Sequence, residues 1–247
     1  TGDVVPRRQV RFELGIRMRF ALLNGQRVEA TPGALGVCPG CNADVVARCG
    51  TKKVWHWAHK GRRHCDHWWE NETEWHRDWK NRFVIDWQEV PARDETGELH
   101  IADIKTSYGL VIEFQHSAIK PDEVKRRTSF YGQVIWIIDG TRRPSDMTQY
   151  ERMLSENYPE RFDGVHIYTV YCEETRLLKE WGSLGKIIGF DFGGENLCLL
   201  TAAQGRSRYL FDFPKVEFAR LISEGRPLPV VQFAEPTQRG YRRRRRF

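Results

Sequence analysis

His100-Ile-Ala-Asp103-Ile-Lys105-Thr-Ser-Tyr108-Gly109-Leu-Val-Ile-Glu113-Phe-Gln115-His116-Ser117 holds two β-prone runs joined by a tight turn at Tyr108-Gly109. Strands joined so closely pair antiparallel, which brings their side chains together. Glu113 and Gln115 are two apart and face the same side of their strand, and Asp103 can share that side. A carboxylate set among Val111, Ile112 and Phe114 is costly to leave without a partner. Two clustered carboxylates binding Mg²⁺ or Mn²⁺ through oxygen meet that demand and offer hydrolytic chemistry. The structural alternative is a salt bridge, for example from Glu113 to an arginine of the following helix.

Either side of this hairpin the pattern is mixed. Upstream, Asn71–Phe83 reads as a helix capped by Thr73, with Trp75, Trp79 and Phe83 forming a stripe at i, i+4, i+8. A strand is expected over Phe83–Val90. Downstream, Pro121 opens a polar helix through Tyr131, and Gln133–Ile138 reads as a buried strand closed by Asp139-Gly140. This order predicts an α/β (α+β) fold, a mixed sheet flanked by helices. Beyond residue 140 the signals weaken. Helices are expected at Tyr150–Tyr158 and Lys215–Ser223, and strands at Val165–Cys172 and Lys186–Phe192.

Near the N-terminus, Asn24-Gly25 between short β-prone runs predicts a hairpin. Then comes Cys38-Pro-Gly-Cys41, a knuckle, followed by His56-Trp-Ala-His59 and Cys65. Zinc takes four sulfur or nitrogen ligands tetrahedrally, and five candidates are present. Cys38 and Cys41 form the first pair; His59 with either His56 or Cys65 forms the second. Such a site can be filled by protein ligands, so this Zn²⁺ is expected to be structural. Cys49, Cys172 and Cys198 read as core cysteines. The expected division is a leader and hairpin at 1–35, a zinc-ribbon-like module at 36–70, a catalytic core at 71–140, an extension of unassigned role at 141–235 and a basic tail at 236–247.

The net charge is +6 over 247 residues, and Arg242, Arg243, Arg244, Arg245 and Arg246 carry five of those charges. The rest of the chain is close to neutral, so the tail is a separate device suited to phosphate. No run approaches the ~20 apolar residues that span a bilayer, and no secretory leader is read at residues 1–19. A cytoplasmic protein without membrane attachment is expected.

The motifs in order resemble the PD-(D/E)XK nuclease superfamily, and more narrowly the competence protein CoiA-like family. The resemblance is carried by Cys38-x-x-Cys41, His56-Trp-Ala-His59, the helix Glu74-Trp-His76-Arg-Asp-Trp79-Lys80, Ala102-Asp103-Ile104, and Val111-Ile-Glu113-Phe-Gln115-His-Ser117. Arg126, Arg127 and Tyr131, then Val134-Ile-Trp136-Ile, continue it over roughly residues 18–140. It implies a restriction-endonuclease-like sheet, with Asp103 and Glu113 as ligands of a catalytic divalent metal. Gln115 stands where the superfamily usually places lysine; Lys105 or Lys80 is a spatial substitute. Glu74 is the expected helix carboxylate, with Glu72 and Glu89 as rivals, and His76 shares a helix face with Lys80. Lys105, Arg126 and Arg127 join the tail as expected nucleic-acid contacts. The resulting expectation is a metal-dependent endonuclease or exonuclease acting on DNA. It leaves room for a homo-oligomer or protein partner. The alternative is an inactive nucleic-acid-binding or adaptor protein with a structural zinc.

Overall fold

In the computed structural model, residues 17–60, 65, 66, 68, 70, 72–162, 164–201 and 207–228 are described. The chain forms two compact units, Thr1–Asp78 with Glu89–Ala102, and Trp79–Gln88 with Asp103–Phe247.

Unit 1 is built on an antiparallel sheet. Its strands are β1 (Arg17–Met18), β2 (Phe20–Leu23), β3 (Gln26–Glu29), β4 (Leu35–Val37), β5 (Asp44–Arg48) and β6 (His56–His59), in the order β1-β6-β5-β4-β2-β3. The expected hairpin is β2–β3, closed in the register Leu23↔Gln26. Asn24 and Gly25 both have positive φ, 53° and 78°, the twist that a two-residue turn between right-twisted strands requires. The hairpin and the cysteine-rich stretch share one sheet, because β2 pairs with β4 at Leu22↔Val37. Met18, Ala21, Ala30, Cys38, Val45 and Trp57 form its core. Trp57 is fully buried and donates its indole N–H to Val28 O at 3.0 Å, so Trp57→Ala would cost about 3–5 kcal/mol.

The helix α1 (Glu74–Lys80) is shorter than the apolar stripe predicted. It stops because the amides of Arg82 and Phe83 turn back to Trp79 O and Lys80 O, a tightening that ends the α-helical ladder. Phe83 is still buried, reached through this turn. In place of a strand from Phe83, a 3₁₀ turn at Ile85–Trp87 precedes β7 (Gln88–Arg93). β7 neighbours β8 (Leu99–Lys105).

Unit 2 adds β9 (Val111–Gln115), α2 (Pro121–Tyr131), β10 (Val134–Asp139), α3 (Pro144–Glu156), β11 (Glu160–Phe162), β12 (Val165–Tyr171), α4 (Arg176–Trp181), β13 (Ile188–Asp191), β14 (Asn196–Leu200), β15 (Ser207–Pro214) and α5 (Lys215–Ser223). Its strands run in the order β11-β12-β15-β14-β13-β10-β9-β8. β9, β10 and β13 are parallel, and the remaining pairs are antiparallel, so the sheet is mixed. The turn before β9 closes at Gly109, where φ is 89° and the N–H reaches Thr106 O.

α2 makes the crossover that parallel β9 and β10 need. Pro121 opens it, Asp122 and Glu123 suit the positive end of its dipole, and the Gly132 N–H bonds Thr128 O at its end. All six residues of β10 are buried, as for a strand covered on both faces. On one face, Trp136 donates to Thr128 Oγ1 of α2 at 3.1 Å. On the other, Phe114 meets Trp79, which in turn packs edge-on against Phe218 of α5. β14, β15 and α4 were not anticipated, although Thr175 caps α4 by accepting from Leu178 N.

Candidate metal centre and acidic site

The knuckle follows β4. Cys38 N donates to Ala43 O at 2.8 Å, and Asn42 N returns to Cys38 O at 3.0 Å, with Asn42 at φ 58°. This tight turn brings both cysteines to one side. His59 ends β6, and Cys65 arrives from the stretch after it. Ligand atoms of Cys38, Cys41, His59 and Cys65 all lie within 4.8 Å of one another. Cys41 Sγ is 3.3 Å from His59 Nε2, and Cys38 Sγ is 3.8 Å from Cys65 Sγ. The Cys65 thiol beside it pulls Cys38 down to about 4, against the upward push of burial. Cys65 itself is pushed up, chiefly by the hydrogen bond with Cys38. Three sulfurs and one imidazole at this separation could bind zinc, the donor set of closed structural sites.

His56 is the fifth candidate that the structure leaves outside this group. Spacing of three suits a turn, but the two histidines bound a β-strand, where an odd separation places side chains on opposite faces. His56 Nδ1 bonds Val54 O at 2.8 Å instead.

Asp66 and His100 carry no signal in the sequence, yet they hold the Cys65 stretch. Asp66 Oδ1 pairs with His100 Nδ1 and accepts from Trp68 N, and Oδ2 accepts from Ile101 N, all at 2.8 Å. Trp68 stacks on the His100 ring at 3.2 Å between centroids. His100 Nε2 meets Glu98 at 2.8 Å.

In unit 2, β8 and β9 pair in the register Ile104↔Ile112, which sets Asp103 opposite Glu113 on one face. Asp103 N donates to Glu113 Oε1 at 3.4 Å, and Phe114 N donates to Asp103 Oδ2 at 3.0 Å. Lys80 Nζ lies 3.1 Å from Asp103 Oδ1, and Arg127 lies 3.5 Å from Glu113 Oε2. Each carboxylate therefore faces a cation from a different helix. The salt bridge foreseen as the structural alternative for Glu113 is present. Gln115 is buried on the same strand face as Glu113, and its amide donates to Ser117 O at 3.1 Å. Lys105 is two residues from Asp103 and shares its strand face, half-buried.

Lys80 is held by groups that no local pattern marks. Its carbonyl and that of Phe83 both accept from buried Gln88 Nε2 at 2.9 Å. Trp79 donates to Asp191 Oδ2 at 2.8 Å, and Asp191 is gripped in turn by Lys215 at 2.6 Å.

The expected basic contacts separate. Arg126 is exposed on α2, whereas Arg127 is buried between Glu113 and Glu123. Burial alone would lower the Arg127 pKa, but Glu113 and then Glu123 outweigh it and hold the guanidinium above its ordinary value. Arg242–Arg246 lie outside the described residues.

The remaining expected residues belong to unit 1. His76 accepts from Thr73 N at 3.2 Å while Thr73 Oγ1 accepts from His76 N at 3.4 Å. This is a capping box with histidine in the usual Glu place. Glu74 is exposed in the first turn of α1. Of its rivals, Glu72 binds Arg77 at 3.1 Å, and Glu89, at φ 46°, accepts from Arg19 N and Phe20 N.

Among the described residues no helix is long and apolar enough to cross a membrane. No curated protein and no solved structure shows significant similarity to the chain. Residues 37–67, which contain the three cysteines and His59, match the family described as Competence protein CoiA, N-terminal domain. Residues 100–184, which contain Asp103, Glu113 and Gln115, match Competence protein CoiA, nuclease-like domain. The two matches stand in order along the chain and support its resemblance to the competence protein CoiA-like family.

Proposed function

We propose that the chain is a divalent-metal-dependent nuclease acting on DNA, with a structural zinc in unit 1. The observation that carries this reading is Asp103 opposite Glu113 on one strand face, with the Lys80 ammonium on Asp103. The donor set fits Mg²⁺ or Mn²⁺, hard cations that prefer carboxylate oxygens. Such an ion, when bound, lowers the pKa of water and neutralises charge on phosphate. Asp103 and Glu113 would hold it. Lys80 supplies the positive charge that neutral Gln115 cannot, and buried from water it acts on phosphate oxygens at full strength. The Gln115 amide orients the attacking water. Arg126 and the arginine tail contribute phosphate attraction. In unit 1, Cys38, Cys41, His59 and Cys65 hold Zn²⁺, and His56 does not.

The two ion pairs favour a second reading. With Asp103 and Glu113 already neutralised by Lys80 and Arg127, the fold would serve as an inactive nucleic-acid-binding protein. A cleavage assay separates the two. Zinc-loaded protein is incubated with plasmid, linear duplex, single-stranded DNA and RNA, with Mg²⁺ or Mn²⁺ or neither, beside Asp103→Ala/Glu113→Ala. Metal-dependent cleavage lost in the double variant supports the nuclease. No cleavage of any substrate by folded, zinc-bound protein would sink it in favour of the binding reading.

A further inference from the structure

Unit 1 contains an open cleft of about 940 Å³ that the proposed chemistry does not use. On its wall is Trp55, with 46% of its surface exposed, and Lys52 and Lys53 are exposed beside it. An indole left this open near the start of a strand forfeits burial free energy, unlike Trp57 two residues on. Its backbone is nevertheless held in place. The Arg77 guanidinium donates to Trp55 O, and Glu72 grips that guanidinium at 3.1 Å.

The charges of the cleft do not cancel uniformly. Glu29 is taken up by Arg19 at 2.6 Å, and Glu72 by Arg77. That leaves Lys52 and Lys53 as cations on the lining, with Glu74 as the acid opposing them. A half-exposed indole on an anchored backbone, flanked by lysines, offers a base a flat π-face and its phosphates a positive rim. This is how single strands are bound without sequence code. Duplex DNA keeps its bases stacked inside and cannot use the indole.

We infer that this cleft binds single-stranded nucleic acid by stacking one base on Trp55, with Lys52 and Lys53 on the adjoining phosphates. The ligand class follows from the nuclease reading, but the site requires no cleavage. Binding and cleavage can therefore fail independently.

The test is fluorescence anisotropy of a labelled dT12 with full-length zinc-loaded protein and no Mg²⁺ or Mn²⁺. Phosphate contacts, including any from Arg242–Arg246, weaken steeply with salt, whereas stacking does not. Measurements in raised salt therefore isolate the Trp55 contribution. Trp55→Ala is expected to weaken dT12 binding about tenfold, and Trp55→Phe to restore most of it. Lys52→Ala/Lys53→Ala should make the slope of log K against log salt shallower by about 1.4, two phosphates at ~0.7 each. Equal dT12 affinity for wild type and Trp55→Ala would overturn the proposal and point to a peptide ligand. So would a Trp55→Phe protein that retains zinc but binds as poorly as Trp55→Ala.

Discussion

Replacing Lys80 by methionine keeps most of the buried stem and deletes only the charge. The ammonium is 3.1 Å from Asp103 Oδ1, with side chains 5% and 21% exposed. At an effective dielectric of about 20, that separation corresponds to roughly 5 kcal/mol of Coulomb attraction. Breaking a buried pair costs about 3–5 kcal/mol because one charge is left behind. Asp103 is a fifth exposed and retains the Phe114 N–H at 3.0 Å. The expected loss of stability is therefore about 2–3 kcal/mol, read as a lower urea midpoint with unchanged slope. The same change has two opposite effects on the site. Asp103, freed of its lysine, should bind Mg²⁺ more tightly by calorimetry. Cleavage should fall by about 10²–10³-fold, the usual cost of removing one preorganised charge stabiliser. Undiminished cleavage by folded Lys80→Met protein would refute the role given to Lys80. Weaker Mg²⁺ binding would refute the view that lysine and metal compete for Asp103.

Metal analysis of purified protein should give one zinc per chain in wild type and in His56→Ala, and loss of it in His59→Ala or Cys38→Ser. Zinc lost equally in both histidine variants would mean that strand parity does not select the ligand. Arg127→Met should destabilise unit 2 by about 3 kcal/mol in denaturant, since it leaves Glu113 buried without its cation. Arg126→Ala should change stability by under about 0.5 kcal/mol. It should instead reduce the salt slope of duplex binding by about one.

Local signals were legible wherever they were redundant. Pro121, two early acids and the Gly132 stop mark α2 at Pro121–Tyr131 as predicted. The apolar run of β10 and the helix at Lys215–Ser223 were equally readable. Asn24-Gly25 placed its hairpin because few residue pairs accept positive φ twice. The stripe of Trp75, Trp79 and Phe83 gave two buried residues, Trp79 and Phe83, with Trp75 only half-buried, and too long a helix, because a turn can deliver Phe83 to the core as well as a helix can. β14 and β15 escaped notice because their pairing partners are set by the sheet, and no turn chemistry between them advertises a hairpin.

The amino-acid order alone thus determined which chemistry the chain carries: a Cys-x-x-Cys knuckle with histidines and a further cysteine after it, and two acids on adjoining strands. Only the tertiary structure decided which groups meet. His59 joins the cysteines and His56 does not, because β-strand parity sends them to opposite faces. The cation on Asp103 is Lys80, 23 positions upstream, rather than Lys105 on the same strand. Spacing along a chain governs contacts within one element, whereas contacts between elements depend on how those elements pack, as Trp79 on Phe114 and Gln88 beneath Lys80 do here.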